Sequence, residues 1–151
     1  MGGFSLSRLI VIKGHSDTLT TDMLPGIVTL GKIQSVTLNN KALVLKHILS
    51  TSPAMMADIE KTIKAGSVEN ARLYKELENY VVSPEERAMF EKVLAARAAY
   101  LGARDSMLEL SRNNRNAEAF ASYVEKVEPA FNTYSDTVQA EVEYNQVEGT
   151  K

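Results

Sequence analysis

Arg97, Tyr100 and Arg104 occupy helix positions that ought to be apolar. The run Phe90, Val93, Arg97, Tyr100, Arg104, Met107 is spaced 3, 4, 3, 4, 3, the rhythm of a seam packed inside a bundle. Leu94, Leu101 and Leu108 recur every seven residues and widen the same face. Two guanidiniums thus point, ~10 Å apart along the axis, to where Leu or Ile would normally sit. A buried arginine without a counter-charge is strongly destabilising, and no Asp or Glu stands on the seams at this level. The expectation is an anion from outside. Forked guanidinium donors match carboxylate geometry, and Tyr100 adds a hydroxyl and a ring wall. The plainer alternative is a polar layer that fixes register or oligomeric state, with long arginine stems reaching out to water.

Other chemistry finds little support. The two histidines, His15 and His47, lie roughly nine helical turns apart, and no Glu-x-x-His pair occurs, which argues against a metal site. Cysteine is absent, removing disulfides, thiol catalysis and thiolate ligands. There is no nucleophile elbow, P-loop or dinucleotide fingerprint. Glu69, Glu76, Glu78, Glu85, Glu86 and Glu109 read as solvated faces and helix-start charges. No enzyme, cofactor or metal is expected. A net charge of −2 without a basic stripe excludes nucleic acid as an expected partner.

The elements that must position these residues are helices. Apolar residues recur at 3 and 4 spacing almost from end to end in a chain of 151 residues, enough for one core. Ser52-Pro53 starts one helix. Ser83-Pro84-Glu85-Glu86 starts another with a capping box. Asn113-Asn114-Arg115-Asn116 is a polar break, with Asn116 the expected cap of a last helix. The spacing predicts helices over about 5–50, 53–81, 84–112 and 117–147, joined by corners short enough to force antiparallel neighbours. The expected fold is all-α, an up-down-up-down four-helix bundle with an over-long first helix. That helix would be roughly 65–70 Å long against roughly 40–45 Å for its neighbours, so residues 5–17 should overhang. Fraying, a dimer contact and continuation into a membrane span all remain open there. Residues 1–3 read as a start residue with a cloning remnant, 4–148 as the bundle, and 149–151 as a tail cut before a second span. The run Leu9-Ile10-Val11-Ile12 falls far short of the ~20 residues a span needs.

Counting down from the upper corner finds residues at one depth. On helix one the seam Ile27, Leu30, Gln34, Thr37, Lys41, Val44, Ile48 turns polar at Gln34, Thr37 and Lys41. On helix two it passes Gly66 and Asn70, with Ser67 adjacent. On helix four Phe131 and Tyr134 face inward beside Pro129, whose missing N–H frees the Glu125 carbonyl. That carbonyl is either a further acceptor for a ligand or only a kink. The expected ligand-binding set is Arg97, Tyr100, Arg104, Lys41, Thr37, Gln34, Ser67, Asn70 and Tyr134.

The chain resembles the periplasmic sensor module of bacterial methyl-accepting chemotaxis proteins over roughly residues 4–148. The resemblance is carried by Met23-Leu24-Pro25-Gly26-Ile27, the Tyr100 region and Asn116-Ala117-Glu118-Ala119-Phe120, in that order. It implies an inner-membrane receptor whose extracytoplasmic domain signals by displacing a helix. It also implies homodimers through helix one, or a higher oligomer. Aspartate-type members hold ligand between subunits with helix-one arginines and a Pro-Thr step. This chain has no arginine between Arg8 and Arg72, and Ala130 follows Pro129. The Arg97, Tyr100, Arg104 spacing is similar to that of members sensing citrate, malate and related organic acids inside one bundle. Members sensing benzoate- or quinate-type aromatic acids are similar too, and a ligand-free interaction bundle stays as the alternative from another class.

Overall fold

The computed structural model describes residues 24–148, and among these all regular structure is helical. Helix α1 (Leu24–Leu49) and α2 (Pro53–Leu77) are joined by a tight corner. A 3₁₀ turn, Glu78–Tyr80, ends α2 three residues before α3 (Pro84–Arg112) begins. The last helix is continuous but mixed: α4 (Asn116–Ser122), a π turn (Tyr123–Val127), and α5 (Glu128–Glu148). Four helices pack as a bundle. The overhang expected for residues 5–17 lies outside the described residues.

The corners form for the local reasons read from sequence. Ser52 accepts from the Met55 N–H with Pro53 in the first turn. Ser83 Oγ accepts from the Glu86 N–H at 3.1 Å, and Glu86 Oε2 accepts from the Ser83 N–H at 2.8 Å. These caps answer N–H groups that have no partner within the helix. The upper corner corrects one detail. Asn116 is the first residue of α4, behind Arg115, and makes no capping bond. Asparagine acts instead at Asn114, whose φ of 56° lets the chain reverse. The Arg115 N–H then reaches the Leu110 carbonyl and the Asn114 N–H that of Ser111, both at 3.0 Å, closing α3 as a Schellman motif.

Seams on α2 and α3 run as expected, through Met56, Ile59, Ile63, Asn70, Leu73 and Leu77, and through Phe90, Val93, Tyr100, Arg104 and Met107. The α1 seam is rotated from the expected one. Its buried line is Gly26, Leu30, Ile33, Thr37, Asn40, Val44 and His47, while Gln34 and Lys41 are only half-buried. Helix α1 carries apolar residues on two faces, so either stripe keeps the 3.5-residue period; packing against α2 decides between them.

Pro129 explains the π turn. It has no N–H to give, and its ring would crowd the carbonyl four residues back. The wider turn absorbs this, with the Glu128 N–H bonding five residues back to Tyr123. Pro129 and Glu125 are both exposed, so the proline shapes the outer face of the helix and the expectation of an extra acceptor inside is not met.

Helix α1 lies along α2, and α3 lies along α4 and α5, with α1 also touching α3 and α5. Helices α2 and α3 approach less closely. Grooves open between them, one of about 490 Å³ beside Arg104 and one of about 310 Å³ beside Phe90.

Candidate functional site

A polar layer crosses the bundle at mid-height, where all four helices contribute. Thr37 and Asn40 come from α1, Ser67 and Asn70 from α2, Arg97, Tyr100, Leu101 and Arg104 from α3, and Tyr134 from α5; together they line one internal cavity. Equal-depth counting thus brings Thr37, Ser67, Asn70, Arg97, Tyr100, Arg104 and Tyr134 together. It does not bring Gln34 and Lys41. Gln34 lies in a neighbouring groove of about 180 Å³ between α1 and α5, which shares Thr37 and Tyr134 with the layer. Lys41 sits over the Phe131 ring with its Nζ 3.7 Å from Glu128. Both departures follow from the rotated α1 seam, which puts Asn40 in the place expected for Lys41.

The layer is partly wired. Asn70 Nδ2 donates to Thr37 Oγ1 at 2.8 Å, and Thr37 Oγ1 donates to the Ile33 carbonyl at 2.8 Å. Tyr74 and Tyr134 hydroxyls stand 2.6 Å apart. Asn40 Nδ2 donates to the Ile63 carbonyl at 3.4 Å. Because a carbonyl and an already-donating hydroxyl only accept here, both amide orientations are fixed by their partners. Three atoms are then left over. Asn40 Oδ1, Asn70 Oδ1 and Tyr100 Oη are buried without a protein partner. Each such group costs about 1–3 kcal/mol, a large share of the roughly 5–15 kcal/mol that holds a domain folded.

Glycine creates part of this arrangement. A Cβ at Gly66 would lie 2.6 Å from Asn40 Oδ1 and 2.8 Å from its Nδ2. Only a residue without a side chain lets the Asn40 amide lie against α2.

Aromatic rings wall the site. Tyr100 stacks on Tyr134 at 5.9 Å and meets Phe131 edge-on at 5.6 Å. Burial pushes the Tyr100 hydroxyl up to about 12, against the opposing pull of Arg104. Burial likewise raises Tyr74 and Tyr134. All three phenols therefore stay protonated at neutral pH and act as hydrogen-bonding groups.

The two arginines differ. Arg97 is half-buried with its guanidinium over the Tyr74 ring at 5.1 Å, and has no carboxylate within ion-pair distance among the described residues. Arg104 corrects the expectation that neither arginine finds one. Its side chain is 8% exposed, and it meets the 63% exposed Asp105 at 2.7 Å, with a further bond to Ser67 Oγ at 3.0 Å. Neighbours in sequence do not normally face each other on a helix; here the arginine folds back to reach the rim. The pairing acid is thus mostly in water, which weakens the pair.

The cavity itself is small, about 10 Å³, the size of a single water site. A ligand larger than water requires α2 and α3 to part where Ser67 and Arg104 meet the outer groove.

Besides Asn40, further buried polar groups escaped sequence reasoning. His47 is fully buried, with Nδ1 2.8 Å from Ser111 Oγ and Nε2 2.9 Å from Glu60 Oε1. Arg112 Nε donates to the same Glu60 oxygen at 2.8 Å. Glu141 is 2% exposed with Oε2 unpartnered. Its signal was present: Phe131, Tyr134, Val138, Glu141 and Asn145 continue one seam at 3, 4, 3, 4 spacing. Glu86, expected as a solvated helix-start charge, is buried as well, because its carboxylate turns back onto the backbone as a cap.

A family model described as a four helix bundle sensory module for signal transduction matches residues 1–151. That family is made of sensors, not catalysts. No curated protein matches the chain.

Proposed function

The chain belongs to the four-helix-bundle sensory modules of signal transduction, and from that premise we propose that it senses a small organic acid in the polar layer of its bundle. The observation that carries this reading is the convergence of three unpartnered polar atoms and two arginines on one cavity. Arg97 and Arg104 offer charged donors suited to carboxylates. Asn40 Oδ1 and Asn70 Oδ1 are acceptors and ask for a donor in return. A di- or tricarboxylate that also carries a hydroxyl, such as citrate or malate, answers both demands. A quinate-type acid does so through its ring hydroxyls, whereas benzoate has no donor to give.

Binding would exchange the exposed Asp105 for a ligand carboxylate at Arg104 and draw Arg97 inward from the Tyr74 ring. The ligand would tie α3 to α5 through Tyr100 and Tyr134, and the π turn supplies a place where α5 can shift register. Such a shift signals only if the ligand prefers one helix arrangement to the other. In this reading the module is the extracytoplasmic part of a membrane-anchored chemoreceptor; among the described residues no helix is long and apolar enough to cross a membrane.

In the same reading a second copy would pack on the outer face of α1. Leu24, Val28, Gly31, Ser35, Leu38, Ala42, Leu45 and Leu49 are spaced 4, 3, 4, 3, 4, 3, 4, a heptad stripe exposed at each position except the half-buried Leu45, which packs against the core. Leu38 and Leu49 on it are 58% and 82% exposed. Sedimentation should show self-association that Leu38→Glu abolishes with helicity intact.

The small size of the cavity and the Arg104–Asp105 pair favour a second reading, a ligand-free bundle whose polar layer sets register. Calorimetric titration with citrate, malate, succinate and benzoate separates the two. Heat with the hydroxy acids, reduced about tenfold or more in affinity by Arg97→Ala, supports the sensor reading; no heat at millimolar ligand with any of them supports the other.

A further inference from the structure

The lower end of the bundle holds a second anomaly, independent of the polar layer. Glu141 of α5 is 2% exposed, and its Oε2 has no protein partner. Glu86 in the first turn of α3, 8% exposed, lies near enough for its charge to act on Glu141. Glu86 Oε2 is already committed to the N–H groups of Val82 and Ser83, at 2.9 and 2.8 Å. Among the described residues no cation pairs with either carboxyl, and the charge of Glu86 acts on Glu141 unopposed. Helix α2 contributes Tyr74, whose hydroxyl feels the charge of Glu141 and is itself tied to Tyr134. Helix α1 presents Gly26, Thr29, Leu30 and Ile33 as its buried residues at this end, and none of them titrates. On α5 the Asn145 amide bonds the Glu141 main-chain carbonyl at 3.0 Å, leaving the carboxyl alone.

We propose that Glu141 is a proton-binding site, giving the sensory module a second input, external pH, that acts on the contact between α5 and the start of α3. A neutral carboxyl can remain in this interior; an unpaired anion facing Glu86 is repelled and must draw water or separate the helices. Burial first, and the charge of Glu86 second, push the Glu141 carboxyl up to about 7 from its ordinary 4.5. The folded state therefore holds this proton more tightly than the unfolded chain does. The stability it brings is complete below about 4.5, declines as pH rises towards about 7, and is lost above that.

The test is a pH titration of the protein carrying ¹³C-labelled glutamate carboxyls, followed together with the backbone amides of residues 84–90 and 138–145. One carboxyl should titrate near neutrality, well separated from the rest, and both amide groups should move with the same midpoint. Glu141→Gln should remove that titration, and its melting temperature should match the wild type at pH 4.5 and exceed it at pH 8. Should that variant not fold, Glu86→Gln tests the same claim by moving the midpoint down towards the ordinary range. The proposal is overturned if every carboxyl titrates in that ordinary range. It is equally overturned if the neutral titration survives Glu141→Gln, or if the amides stay still while Glu141 titrates.

Discussion

Two polar insertions interrupt the upper and middle core, and they are built on opposite plans. Near the upper corner, His47 has both ring nitrogens engaged, by Ser111 and by Glu60, and Glu60 is engaged again by Arg112. Ser111 Oγ also lies 3.2 Å from the His47 carbonyl, so its proton has an acceptor in either arrangement. At mid-height, the layer around Tyr100 leaves three polar atoms without protein partners. Both insertions reach into the core and both join several helices. The closed network has nothing to offer a ligand, because every group is already answered. The open one carries a standing cost that a ligand of the right chemistry would relieve. Polarity in a core is therefore not by itself a sign of function; unanswered polarity is.

This contrast can be broken from either side. The largest effect should come from His47→Ala, which empties an imbedded ring and strips Ser111 and Glu60 of a partner. Urea denaturation should show a loss of about 2–4 kcal/mol, with ligand affinity unchanged. Gly66→Ala comes next. The added methyl would sit 2.6 Å from Asn40 Oδ1, so the amide must leave its seat and its bond to Ile63. A loss of about 1–3 kcal/mol is expected by the same measurement, accompanied by loss of ligand response. Tyr100→Phe should have the smallest effect on stability and the opposite sign. The hydroxyl it removes has no protein partner, so thermal unfolding should show no loss and up to about 1 kcal/mol of gain, while ligand affinity falls. A stabilising substitution that weakens binding is the expected mark of a site held open for function.

How far the sequence foretold this depends on the element. Ser83 and Glu86 mark a helix start by local hydrogen bonding, so the beginning of α3 was legible before any packing was known. The α2 and α3 seams were legible because each helix has one apolar stripe. Helix α1 has two, one ending in the core through Leu30, Ile33 and Val44, the other outside through Val28, Leu38 and Leu49. Periodicity gives the spacing of a stripe and not which stripe turns inward. The expected seam shares Leu30, Thr37 and Val44 with the buried line and differs from it only by a small rotation, which puts Asn40 inside and leaves Gln34 and Lys41 half-buried. Asp105 escaped because an acid beside an arginine in sequence is expected to point elsewhere. Glu141 continues the seam of Phe131, Tyr134 and Val138, whereas His47 lies on the α1 line that periodicity did not single out; the partners of His47 arise only from tertiary packing.

The central claim is that a small hydroxy acid seats itself in the open layer and nowhere near the closed one. Side-chain NMR resolves the two in a single titration with malate. The account predicts that the Arg97 guanidinium and the Asn40 and Asn70 amide signals move together to saturation, while the His47 ring and the Arg112 guanidinium stay where they are. Movement at His47 and Arg112 with the Tyr100 layer silent, or no movement at millimolar malate and citrate, would contradict it.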